Sequence, residues 1–174
     1  CAEEANAIDE ALPGASFDNV VSIGPGNGVL ELFFYRAVSP RKILLIDIEE
    51  SDIHQAGFDD QGSGYASLRA TKDFLVSNDV PADAVMTCNP NNQELPGFKF
   101  DFLMSILSMG FHYPCDAYSE FILKNANTNA RIVMDKRGES LDAGFEKLLA
   151  NTLTHNQIPM YKRDRVFLAC SGEA

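Results

Sequence analysis

The regular alternation of short apolar runs with longer helix-patterned stretches constrains this chain more than any other feature. The runs VVSI at 20–23, ILLI at 43–46, AVMTC at 84–88, FDFLMSIL at 100–107 and RIVM at 131–134 are too short for buried helices. They are rich in β-branched and large apolar residues, so each predicts a strand. The second is apolar throughout, as in a strand covered on both faces. Helical patterns fill the gaps at 27–37, 65–78, 116–125 and 139–154. In the first, Leu30, Phe33, Phe34 and Ala37 recur at i, i+3, i+4 and i+7, which predicts them as its buried face, and Ser39-Pro40 stops it. Phe121 and Leu123 mark the core side of the third helix, and Leu141, Phe145, Leu148 and Leu149 form the stripe of the fourth. Residues 51–64 and 89–97 read as loops, and 158–170 as two short strands joined around Lys162-Arg163-Asp164. Alternation of this kind predicts an α/β fold: a doubly wound, mostly parallel sheet with helices on both faces and a terminal antiparallel strand pair. Its ligands bind beyond the carboxyl ends of the strands.

One such domain accounts for all of residues 1–174, with no internal repeat. No run approaches the ~18 apolar residues of a membrane span, and the first residues lack the basic flank and apolar core of a signal peptide. The absence of an initiator Met fits a processed or truncated chain. Four scattered cysteines without a CxxC pair predict a reduced, cytoplasmic protein. Three histidines more than forty residues apart argue against a structural metal site. The net charge of −11 repels phosphate backbones and anionic membranes, so nucleic acid and membranes are unfavourable partners. The bases Lys136, Arg137, Lys162, Arg163 and Arg165 gather late in the chain, but acids are interleaved among them, and they predict a solvated surface.

The first strand runs directly into Gly24-Pro25-Gly26-Asn27-Gly28, and a helix starts there. Glycines in such a turn permit positive φ and close approach of a ligand to the backbone. The dinucleotide fingerprint G-x-G-x-x-G/A fails at Val29, and no GK[ST] follows, which excludes a P-loop. Pro25 also removes one N–H that would face a phosphate. The second strand ends at Asp47, nineteen residues after Gly28, where a carboxylate can accept the hydroxyls of a ribose. A turn cap is the plainer role for the same residue. The order strand, glycine turn, helix, strand, acid predicts a nucleoside site without a pyrophosphate.

VVSIGPGNG followed by LLIDIE resembles the cofactor-binding half of class I S-adenosylmethionine-dependent methyltransferases, which have a Rossmann-like sheet ending in an antiparallel pair. The resemblance covers about residues 18–171. GYASLRATKDFLVSNDV, SILSMGFHYP and ARIVMDKRGE are further similar to bacterial and phage proteins described as sugar O-methyltransferases. The resemblance implies S-adenosylmethionine as cofactor, a sugar or other small hydroxylated molecule as acceptor, and a cofactor site at Gly24, Pro25, Gly26, Asn27, Gly28, Asp47, Ile48, Asn89 and Ser105. Ser22 departs from the acid that usually stands two positions before the glycine loop.

Residues 105–114 leave the fourth strand at the same carboxyl edge. His112 is the candidate general base for an alcohol acceptor, since its ordinary pKa lies near neutrality; the alternative is a hydrogen-bonded loop histidine. Tyr113 would orient the acceptor or pack against Pro114. Asp135 and Lys136 follow the fifth strand, either at the reacting groups, as in RNA 2′-O-methyltransferases, or as a surface ion pair. Asn89 offers donor and acceptor to a base edge, or turns the chain before Pro90. His54, Asp59 and Asp60 belong to a loop expected to hang over this edge. Two other functions compete: an RNA 2′-O-methyltransferase, which needs a basic groove, and a non-catalytic module of the same fold, suggested by Ser22. A nicotinamide oxidoreductase is disfavoured by Val29.

Overall fold

All five apolar runs form strands, and they align in one sheet. The computed structural model describes residue 8 and residues 16–48, 67–137, 142–160 and 163–171. In chain order the elements are β1 (Asn19–Ile23), α1 (Val29–Val38), β2 (Lys42–Ile46), α2 (Leu68–Ser77), β3 (Val85–Cys88), β4 (Phe100–Ser105), α3 (Asp116–Asn125), β5 (Ala126–Lys136), α4 (Ala143–Ala150), β6 (Thr152–Met160) and β7 (Arg163–Cys170). The sheet order is β3-β2-β1-β4-β5-β7-β6. The first five strands are parallel, and β7 runs antiparallel between β5 and β6. Strand order reverses between β1 and β4, which makes the ends of these two strands the switch point where such sheets bind ligands.

The period-two alternation of each strand sorts the core into two layers. Val20, Ile43, Leu45 and Phe102 face Leu32 and Phe34 of α1 and Leu75 of α2. Val21, Ile23, Leu44, Ile46 and Leu103 pack in a second layer with Phe121 and Ile122 of α3 and Phe145 and Leu148 of α4. On one side Phe102 stacks on Phe17 and Phe34, with ring centroids 4.7 and 4.6 Å away. No described helix is long and apolar enough to cross a membrane.

The structure corrects several boundaries and one face. In α1 the buried residues are Glu31, Leu32 and Phe34, whereas Phe33 is 39% exposed and Ala37 lies in solvent. Leu32 and Phe34 enter the core with Leu30, Tyr35 and Val38 packed against it, so the inward face is shifted from the expected one and contains a glutamate. Helix α4 ends at Ala150 instead of running to 154, because Asn151 caps it and the following residues pair with β7. The threonines there favour the strand. Thr152 also returns its hydroxyl to the Leu149 carbonyl. The terminal pair is therefore longer than expected, and Arg163 and Asp164 belong to β7 rather than to its turn. Asp142 starts α4, accepting from Phe145 N at 2.7 Å, and its other oxygen accepts from Cys115 N at 3.0 Å, so one carboxylate ties the starts of α3 and α4 together. Leu141, Lys162 and the 51–64 loop lie outside the described residues.

Candidate functional site

Three successive carboxyl ends meet at the switch point. Gly24, Gly26 and Gly28 all adopt left-handed backbone, with φ of 72, 56 and 79°. Each is needed for its own reason. A Cβ on Gly24 would stand 1.9 Å from Ser108 Oγ, and one on Gly28 would stand 2.8 Å from Thr71 Cγ2. A Cβ on Gly26 would meet no atom within 4 Å, so this glycine presents bare backbone at the turn. The turn is fixed from outside. Gly24 N donates to Ile46 O at 2.8 Å, Gly28 N donates to Pro25 O at 3.0 Å, and Thr71 of α2 donates its hydroxyl to Gly26 O at 2.6 Å. Pro25 is buried and Asn27 is exposed. Asn27 Oδ1 accepts from Val29 N at 3.3 Å.

Asp47 lies just past β2, half-buried, with its backbone N–H on Cys88 O and its Oδ1 accepting from Ile48 N at 2.8 Å. The local turn contact expected of an aspartate is thus present. Asn89, beyond β3, uses its amide internally: Nδ2 donates to Ile48 O at 3.3 Å and Oδ1 accepts from Asn91 N at 2.9 Å. Its turn-forming role is realised, and it fastens Ile48 beside Asp47. Ser105 is buried at the end of β4, donating to Ile23 O at 3.1 Å and accepting from Met109 N at 2.9 Å. These bonds hold the 106–114 segment against the glycine turn.

That segment brings Ser108 and Tyr113 to Gly24. Ser108 Oγ and Tyr113 Oη are 2.7 Å apart, and the Tyr113 ring lies 5.8 Å from that of Tyr118. Burial, with Tyr118 and Asp47 adding to it, holds the Tyr113 phenol well above its usual range. Tyr118 is pushed up to about 12, first by burial and then by Asp47 and Cys88 against the opposing Tyr113 bond. Both rings therefore keep their protons at any physiological pH. His112 is half-buried beside them, its backbone N–H on Ser108 O at 2.8 Å and its ring edge-on to Phe111 at 5.0 Å. Leu107 has φ of 56° and is 40% exposed. A left-handed leucine costs about 1–2 kcal/mol, and such strain concentrates at working sites.

Under the glycine turn, Ser22 donates to Glu31 Oε1 at 2.7 Å. Both residues are 2% exposed, and Glu31 Oε2 has no hydrogen-bond partner. Burial raises the Glu31 carboxyl to about 7 against the lowering effect of Ser22, and Asp47 raises it further. Glu31, Tyr113 and Tyr118 thus all lie within the field of Asp47.

Asp135 and Lys136 reach the expected edge but do not form a surface ion pair. Asp135 is fully buried, Lys136 nearly so. Antiparallel register sets Asp135 opposite Arg165, whose Nε donates to Oδ1 at 2.6 Å and Nη2 to Oδ2 at 3.1 Å. Arg163 Nε stands 3.4 Å from Oδ2. The Lys136 ammonium lies 5.5 Å over the Phe145 ring. Of the solvated basic surface expected here, Arg137 is exposed, whereas Lys136 and Arg165 are buried and Arg163 turns to Asp135; Lys162 lies outside the described residues. His54, Asp59 and Asp60 lie outside the described residues.

Glu31, Thr71 and Ser108 escaped the sequence reading. A signal existed for Glu31, since it shares helical spacing with Phe34, Tyr35 and Val38 and directly follows the glycine turn. Thr71 and Ser108 gave none, because their roles depend on contacts forty-five and eighty-four residues away in sequence.

No family model matches the sequence, and no curated protein does. Solved structures share its fold. A proposed O-methyltransferase of Nostoc punctiforme aligns with TM-score 0.66 at 10% identity over 97% of this chain, which spans only 56% of that protein. An RNA methyltransferase of Salinibacter ruber, solved with S-adenosylhomocysteine, aligns with TM-score 0.62 at 10% identity over 99% of this chain and 93% of its own. The O-methyltransferase TomG of Streptomyces achromogenes, from tomaymycin synthesis and solved with SAM, gives TM-score 0.60 at 16% identity over 99% and 79%. At these identities the likeness is one of fold: the Rossmann-like sheet of the methyltransferases, with its antiparallel pair at one end.

Proposed function

We propose that this protein is an S-adenosylmethionine-dependent O-methyltransferase that acts on a sugar or another small hydroxylated acceptor. The observation that carries the reading is the convergence at the switch point of three left-handed glycines, the half-buried Asp47 and the Ser108–Tyr113 pair. The fold neighbours solved with SAM or its demethylated product support the same cofactor. In this reading the backbone from Gly24 to Gly28 takes the amino-acid end, Asp47 accepts the ribose hydroxyls, and Ile48 and Asn89 flank the base. Ser105 keeps the turn and the 106–114 segment in register.

The bound cofactor supplies an electrophilic methyl group on a sulfonium. What the chain contributes is alignment, exclusion of water and a place for the acceptor's proton. His112 takes that proton as the general base. Tyr113 retains its own proton, so it acts as a hydrogen-bonding group that orients the acceptor, fixed by Ser108. Asp135 and Lys136 hold β5 to its neighbours and shape the edge without reaching the reacting atoms. Of the described basic side chains near this edge, Lys136, Arg163 and Arg165 are committed to Phe145 and Asp135, and exposed Arg137 lies over the Phe111 ring, which gives an RNA acceptor little support.

Transfer of radiolabelled methyl from S-adenosylmethionine to a panel of monosaccharides and small alcohols tests the proposal. Labelled product is expected with at least one acceptor. His112→Ala is expected to lower turnover by about 100-fold or more, the usual worth of a general base, with little change in S-adenosylhomocysteine affinity. Equal loss of turnover and binding would refute the role given to His112. Labelling of RNA in preference to every small acceptor would refute the substrate class.

A further inference from the structure

Among the described residues at this site, Glu31 is a buried carboxylate with no part in the cofactor contacts or the transfer proposed above. It sits in the first turn of α1, three residues after Gly28, on the face that packs against β1. One oxygen takes the Ser22 hydroxyl at 2.7 Å; the other is buried with no hydrogen-bond partner. An unpaired buried polar atom is costly, and folded proteins retain few of them. Asp47 acts on it across the glycine turn as a like charge. Two acids that bear on one backbone turn, one of them with an idle oxygen, form an arrangement that a cation relieves twice over, by pairing with Glu31 and by screening it from Asp47.

We propose that Glu31 receives the ammonium of the amino-acid end of the ligand bound at the glycine turn, directly or across one water, with Ser22 orienting its carboxylate. The inference rests on the proposed S-adenosylmethionine site and names the residue that makes that site selective for a cationic amino acid. It requires no bond making. The ammonium keeps its protons and shares one with Glu31 Oε2, while Oε1 keeps the Ser22 bond. Burial and Asp47 leave the free carboxyl neutral below about 7. Binding of the cation favours the ionised form, so affinity rises with pH through that range. Among the described residues the ionisable group that bears on Glu31 is Asp47, with Ser22 as its neutral partner on β1.

The experiment compares two probes that share the nucleoside and differ at the amino-acid end. S-adenosylhomocysteine carries the ammonium; 5′-methylthioadenosine lacks it. Calorimetric titration of both into wild type and Glu31→Gln is expected to show S-adenosylhomocysteine weakened by about tenfold or more, the worth of a charge-assisted hydrogen bond. Methylthioadenosine binding should not change. In wild type, S-adenosylhomocysteine affinity should rise between pH 6 and pH 8 relative to that of methylthioadenosine. This second readout needs no variant. The pair Ser22→Asp with Glu31→Gln should recover the lost affinity. Equal weakening of both probes would make Glu31 a support of the turn only and overturn the proposal. So would no weakening of either, or no pH difference between them. Wild type that binds neither probe would overturn the cofactor reading itself, an outcome distinct from the failure of Glu31 alone.

Discussion

Glu31→Gln should gain stability relative to wild type as pH rises, being the less stable protein in acid and closing or reversing that gap at alkaline pH. The carboxyl has an ordinary value of 4.5, and burial in the fold, with Asp47 adding to it, raises it to about 7. The native state therefore binds the proton more tightly than the unfolded chain. Between the two values the unfolded chain sheds the proton while the native state keeps it, so stability falls as pH rises, at ~1.4 kcal/mol per unit. Above the native value the loss levels off at about 3 kcal/mol. Glutamine accepts the Ser22 hydroxyl through its amide oxygen but buries an NH₂ group, a pH-independent cost of about 1–3 kcal/mol. The test is thus the difference between wild type and variant at two pH values. Urea unfolding at pH 5 and pH 8 should show the variant gaining about 3 kcal/mol on wild type between them, or roughly 1–3 M in midpoint at ordinary m-values. A difference independent of pH would show that Glu31 is not buried as described, and the reasoning that assigns it an ammonium partner would fall with it.

Other perturbations separate the roles within the turn and at the sheet edge. Gly24→Ala should lower the melting temperature sharply, because its methyl would collide with Ser108 and its φ is positive. Gly26→Ala, with no atom within 4 Å of the new methyl, should cost only about 1–2 kcal/mol for its left-handed backbone while abolishing S-adenosylhomocysteine binding. If Gly26→Ala binds as wild type does, the ligand does not approach this backbone. Asp135→Ala should destabilise the fold by about 3–5 kcal/mol in chemical denaturation, since it removes the buried carboxylate that Arg165 pairs with; a loss below ~1 kcal/mol would mean that the pair is solvated.

What the sequence made legible is what local rules govern. Strand runs such as ILLI carry their own signal, and a strand that runs into three closely spaced glycines leaves few alternatives to the turn observed at Gly24 to Gly28. The inward face of α1 is legible only at Leu30 and Phe34, because Glu31 occupies a core position; hydrophobic spacing discards a buried acid and points to Phe33 and Ala37, which are solvent-facing. The end of α4 is not marked in the sequence, because no Gly or Pro closely follows Leu149 and only pairing with β7 decides for strand. Asp135 illustrates the limit most directly. Its partner Arg165 is thirty residues away, opposite it only through antiparallel register, so nothing local in the sequence signals that this residue beyond the fifth apolar run is tied into the sheet. At the site, Gly24 and Asp47 were visible through spacing, while Ser108 and Thr71 acquired roles only when the turn closed on them.

Calorimetric titration of S-adenosylhomocysteine into wild type and Asp47→Ala tests the cofactor site most directly. Micromolar binding to wild type, weakened by ~2 kcal/mol or more in the variant, is the predicted result for a carboxylate that holds ribose hydroxyls. Wild type that does not bind, or a variant that binds equally well, would contradict it.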